Sequence, residues 1–186
     1  MKVLMTILAA LMLAFGVMAI AEDKPAESGM PPMGAPEQMK DIAFLNGNWS
    51  VAMQWRDMQD SSKWTDEKAT CTFKHILDGA AVEMDFNGDM MNMPFQGLML
   101  LSYDRDKNEW QSTWIDNLGA KLSFYTGTMT GGKMSLTGED MWQGKTYLNR
   151  MNIFNMTDKK FDWSIENSFD GGKTWLVMGK AVYTKM

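Results

Sequence analysis

Apolar and polar residues alternate with a period of two over most of the chain. Trp49, Val51, Met53 and Trp55 are separated by Ser50, Ala52, Gln54 and Arg56. Cys71, Phe73, His75 and Leu77 alternate with Thr70, Thr72, Lys74 and Ile76, and Val82, Met84 and Phe86 with Glu83 and Asp85. The same rhythm returns in Phe161, Trp163 and Ile165 and again in Trp175, Val177, Ala181 and Tyr183. Such runs predict strands with one buried and one wet face. A different pattern precedes them: Pro36-Glu37 opens a short helix over residues 37–45, with an acidic residue at its positive end, and Gly47 stops it.

Turn chemistry separates the runs at Asp78-Gly79, Asp104 to Asn108, Asn117 to Gly119, Gly131-Gly132, Gln143-Gly144, Thr157 to Lys159 and Gly171-Gly172. About ten strands result, near 47–56, 67–77, 80–88, 95–104, 109–116, 120–130, 133–139, 145–155, 160–168 and 173–184. Short connections make them an antiparallel meander. A twisted meander of that length closes on itself and so removes its edges. The expected fold is all-β, an up-and-down antiparallel β-barrel of about ten strands with a short N-terminal helix over one end. Leu98 to Leu101 is apolar on both faces, so its outer side is expected to meet that helix in preference to a second subunit.

The first 21 residues follow other rules. Lys2 precedes an apolar run to Met18, and Ala19-Ile20-Ala21 has the small-x-small form of a cleavage site. The run is shorter than the roughly 20 residues of a membrane span, so an exported chain, periplasmic or secreted, is expected. Residues 22–36 hold four of the five prolines with Gly, Ser and Glu, the composition of a disordered linker. The domain is then 37–186, and it is not expected to span a membrane once the leader is cut. An outer-membrane barrel is disfavoured by the chain ending in Tyr183-Thr184-Lys185-Met186 and by the absence of alternating long loops.

The net charge is −5, and no basic cluster pairs with an aromatic row, which argues against nucleic-acid binding. One Cys and one His exclude a disulfide framework and His-rich metal cages. No phosphate loop, catalytic triad or zinc spacing occurs, so no catalytic residue, metal or cofactor is assigned and the chain leans away from being an enzyme. The methionine content is high, 21 residues. The groups Met30, Met33, Met39 and Met90, Met91, Met93 offer thioethers to Cu(I), but adaptable cavity lining explains methionine equally well.

Phe44-Leu45-x-Gly47-x-Trp49 resembles the Gly-x-Trp signature of the calycin superfamily, the lipocalins and fatty-acid-binding proteins. There the Gly bends the chain into the barrel and the Trp plugs the closed end. Ile76-Leu77-x-Gly79, Met93-Pro94-Phe95-x-Gly97, Tyr103-Asp104 and Ser112-Thr113-Trp114-Ile115-Asp116 follow in order. Together these resemble the bacterial domain of unknown function family 1579, exported and lipocalin-like, over residues 38–186. The chain departs from that pattern at Asp78 and Ala80. The nitrobindins share the broad ten-stranded barrel but use a haem-ligating His near the C-terminus, and this chain has none after His75. Ser168-x-Asp170-x-Gly172-x-Thr174-Trp175 is similar to the Asp-box hairpin element, a structural motif.

The expected function is binding of a small apolar or amphipathic molecule inside the barrel. The lining assigned from alternation is Trp49, Met53, Phe73, His75, Met84, Phe86, Trp114, Phe124 and Trp163, with Asp116 at the rim or capping the turn after it. Two other readings stand beside it. One is an envelope interaction module with a packed interior that uses surface tryptophans such as Trp64 and Trp142. The other is an isomerase-like enzyme with Asp116 or His75 as base.

Overall fold

The computed structural model describes residues 33–90 and 93–186; the expected leader, and the linker up to residue 32, lie outside that range. Ten strands follow a helical segment: β1 (Gly47–Arg56), β2 (Trp64–Ile76), β3 (Ala81–Met90), β4 (Met93–Asp104), β5 (Glu109–Asp116), β6 (Ser123–Thr130), β7 (Lys133–Trp142), β8 (Lys145–Phe154), β9 (Lys160–Ser168) and β10 (Leu176–Lys185). Each pairs antiparallel with its sequence neighbour, and β1 closes the barrel on β10 with Trp49 opposite Lys185. The expected architecture is the observed one.

The helix at Glu37–Leu45 is a 3-10 helix. Its buried residues Met39, Ile42 and Leu45 are spaced by three, so a helix of three residues per turn aligns them along one edge. That edge closes one end of the barrel. Met39, offered above as a copper ligand, is therefore held in the core.

Trp49 is fully buried beneath the helix, and its indole N–H donates to the Leu45 carbonyl at 2.6 Å. Phe44, Phe73 and Phe161 meet its ring edge-on, and Phe161 stacks on Tyr183 with centroids 4.3 Å apart. The Lys185 ammonium donates to the Phe44 carbonyl at 2.8 Å, so a helix-end acceptor is satisfied. Gly47 takes φ 125°, a backbone conformation a side chain resists, and this turns the chain from helix into β1.

Two expectations need correction here. Leu98 and Leu100 are not covered by the helix, which occupies the barrel end; their side chains point outward and stay exposed. Phe124 also points outward and is 62% exposed, while its neighbour Tyr125 is buried. A slip of one residue exchanges the faces of a strand. The threonines at 126, 128 and 130 carry the signal for the correct phase: they mark the even positions of β6 as the wet face.

Candidate functional site

Strand direction gives the barrel two unlike ends. The helix and the connections after β2, β4, β6 and β8 lie at the closed end. The connections after β1, β3, β5, β7 and β9 lie at the other, and there the interior opens as a cavity of about 470 Å³. Its size falls within the usual range for small-molecule sites. The interior is therefore not packed throughout, which removes the basis of the packed-module reading.

Its floor and one wall come from β1 to β5. Met53, Phe73, Met84 and Phe86 line it as alternation predicts, with Trp114 and Trp163 nearer the mouth. Alternation also holds for Phe95 and Met99, which the sequence reading omitted. A β-bulge between Val177 and Gly179 turns Met178 toward the cavity, a change of face that strict alternation does not register.

Three assigned residues are elsewhere. Trp49 lies beneath the helix in the aromatic plug and does not reach the free volume. His75 sits near the end of β2 at the closed end, opposite Val82, so it is outside the cavity although its Nε2 is buried without a hydrogen-bond partner. Phe124 faces outward, and Tyr125 lines the cavity in its place. A base role for His75 on a cavity-bound molecule has no geometric support.

Asp116 does two jobs at the mouth. Its Oδ1 accepts the Leu118 and Gly119 N–H groups at 3.0 and 2.6 Å, capping the turn, while Oδ2 accepts the Trp114 indole N–H at 2.9 Å. The Trp114 ring lies across Gly97, where a Cβ would stand 2.1 Å from its edge. The separate sequence motifs around Gly97 and Trp114 thus form one structural unit: the missing side chain seats the indole, and the carboxylate holds it. Trp55 repeats the device over Gly179, 2.6 Å from a Cβ there, and packs edge-on against Trp163.

The wall formed by β5 to β9 is polar toward the mouth, where Ser112, Ser123, Tyr125, Asn149 and Asn167 face the cavity. Asn149 is only 7% exposed, and its amide donates to Asn167 Oδ1 at 2.6 Å. Its own Oδ1 is buried with no hydrogen-bond partner. An acceptor left so is costly, on the order of 1–3 kcal/mol. Sequence reasoning passed over Asn149 because an Asn within a strand carries no periodic signal.

At the rim Lys121 and Asp140 form an ion pair, and the Tyr147 hydroxyl donates to Asp140 at 3.2 Å. Burial works to raise the Asp140 carboxyl pKa, but the Lys121 ammonium and the Met141 N–H outweigh it and hold it below the usual range. Burial, and then the Asp140 charge, push the Tyr147 hydroxyl up to about 12. Cys71 is buried, and burial raises its thiol to about 12, far from a reactive thiolate. Among the described residues no cluster of three or more His, Cys, Asp or Glu side chains is placed to hold a metal.

The Asp-box residues form a turn beside the mouth. Asp170 accepts the Thr174 hydroxyl at 2.7 Å, the Ser168 hydroxyl at 2.8 Å and two backbone N–H groups, and these bonds hold its carboxyl down to about 2. Trp175 packs under the Arg150 guanidinium and donates to the Gly172 carbonyl at 3.0 Å. Of the two surface tryptophans named from sequence, Trp142 is exposed, whereas Trp64 is flanked by Arg56 and Lys180 against its ring.

Residues 36–185 match the family described as "Protein of unknown function (DUF1579)". The chain belongs to that family. No curated protein matches it. Among solved structures it is similar to Rv2717c from M. tuberculosis, with a TM-score of 0.57 at 10% identity, covering 82% of this chain and 99% of that one. An S-type phycobiliprotein lyase, CPES from Guillardia theta, gives 0.49 at 11% identity, with 83% and 93% covered. EF1p2_mFAP2b, solved bound to DFHBI, gives 0.45 at 10% identity, with 80% and 99% covered. The likeness to Rv2717c is one of barrel fold, and this DUF1579 chain has to be read from its own cavity.

Proposed function

We propose that this chain is an exported carrier that holds a small amphipathic molecule in its barrel, with the apolar body against the β1–β5 wall and a hydrogen-bond donor toward Asn149. The observation that carries this reading is a cavity of about 470 Å³ with an apolar wall on one side and inward-facing Ser112, Ser123, Asn149 and Asn167 on the other. A ligand N–H or O–H finds its acceptor on that polar wall, while the rings and thioethers opposite take the apolar part. Burial of that part contributes about 25 cal/mol per Å² removed from water. The Lys121–Asp140 pair and the engaged Asp116 leave no isolated charge inside, which suits a neutral polar group in the cavity.

The test is a titration with N-phenyl-1-naphthylamine, a neutral aromatic probe bearing one N–H. Saturable one-to-one binding is expected. Asn149→Leu weakens it by about tenfold through loss of the acceptor. Ser112→Phe, which places a ring in the free volume, abolishes it while thermal unfolding shows a folded barrel. Binding that persists in folded Ser112→Phe would place the probe outside the cavity and overturn the reading.

A further inference from the structure

The large apolar side chains left exposed are distributed unequally between the barrel ends. Every connection at the open end carries at least one, in the turn or on its flanking residue: Met58, Met93, Leu118, Trp142, Phe169 and Leu176. Met58, Trp142 and Phe169 are 69%, 54% and 62% exposed. At the closed end the only strand connection to do so among the described residues is the one after β2, through Leu77, and Met186 after β10 is exposed there too. Scattered exposed hydrophobes are ordinary, but a ring of them around one opening is not.

We propose that this ring is a docking surface for a zwitterionic lipid bilayer, so that the cavity opens against the membrane. Five loops arranged about one mouth can be engaged together by a broad, flat partner. The rim has Leu, Met, Phe and a Trp, the side chains that enter the interface of a bilayer. Charge selects the type of surface. Asp57, Asp60, Asp116, Asp140 and Asp170 surround the same mouth, each accepting a backbone N–H of its own turn. Four lysines lie there as well: Lys63 and Lys121 pair with Asp60 and Asp140, and Lys145 and Lys173 stand exposed after β7 and β9. A rim carrying both signs gains little from anionic headgroups, whereas it matches both charges of a zwitterionic headgroup. Docking goes beyond the carrier reading; only the passage of a membrane-borne ligand directly into the cavity rests on it.

The experiment is flotation of the chain from Glu22 onward, which holds every described residue, with phosphatidylcholine vesicles. Binding is expected that high salt does not weaken and that added phosphatidylglycerol does not strengthen. The triple variant Met58→Ser/Trp142→Ser/Phe169→Ser loses about tenfold or more of that affinity. Leu77→Ser, at the closed end, leaves it unchanged, and thermal unfolding verifies that both variants are folded. The proposal is overturned by no flotation, by equal loss in the two variants, or by binding confined to anionic vesicles at low salt. Light scattering that finds a dimer dissolved by the triple variant reassigns the ring to a second copy. Probe titration without vesicles reads the cavity separately, so failure of docking and failure of ligand binding are distinguishable.

Discussion

The two ends of the barrel are built from the same strands with the same alternation, yet one is solid and the other hollow. At the closed end the inward residues Trp49, Phe73, Phe161 and Tyr183 are large rings that meet edge-on or stacked, under a helix edge of Met39, Ile42 and Leu45. At the open end Gly97 and Gly179 present no side chain inward, and tryptophans from neighbouring strands lie back over them against the wall. The rings that fill the centre at one end are drawn aside at the other. The closed end is thus built for stability, and the open end keeps free volume at the expense of packing.

The sharpest way to break this contrast is Trp49→Ala. Removing a fully buried indole from the plug costs about 3–5 kcal/mol of stability, measured by denaturant unfolding. The probe affinity of the molecules that remain folded is expected to stay the same, because Trp49 does not line the cavity. A parallel loss of affinity would show that the two ends are not separable.

Gly97→Val has the opposite signature. Its side chain occupies the Trp114 ring position, so the indole swings into the cavity and leaves Asp116. Probe affinity falls by about tenfold or more, while destabilisation stays near the 1–3 kcal/mol of an overpacked site. Unchanged affinity would show that Trp114 does not gate the free volume.

The smallest effect sharpens the comparison through pH. Burial raises the Cys71 thiol from 9.0 to about 12, and it also raises the Tyr125 and Tyr183 hydroxyls. Groups whose folded pKa is raised contribute stability that is complete below their unfolded pKa and is lost as pH rises through the folded value. Stability is therefore expected to hold to about pH 9 and to decline toward pH 12. Alkylation of Cys71 by iodoacetamide should track that unfolding. Rapid labelling at pH 8 in the folded protein would show the plug to be open.

Much of the architecture was legible in the residues. Period two along β1 and β9, together with the turn residues between strands, placed those strands at their observed bounds. Pro36-Glu37 and Gly47 marked the helix at its observed bounds, Glu37–Leu45. The cavity was legible only in part. Met53, Phe73, Met84 and Phe86 obey alternation within well-marked strands, whereas Phe124 and Tyr125 are adjacent aromatics that alternation by itself ranks equally. His75 shows a second limit: it shares a strand face with Phe73, yet its position along the barrel axis puts it beyond the free volume. Face is a local property, but depth depends on how strands stagger around the closure.

By itself, then, the sequence determined the strands, their antiparallel order, the helix and the turn built by Asp170, since each depends on contacts between residues near in the chain, and closure followed from the twist of so long a meander. Tertiary structure decided where the barrel is hollow, that Trp114 belongs with Gly97, and that Asn149 ends with an open acceptor. It also gathered five distant loops into one apolar rim. Those features depend on side chains brought together by closure and strand stagger, and no local pattern encodes the space left between them.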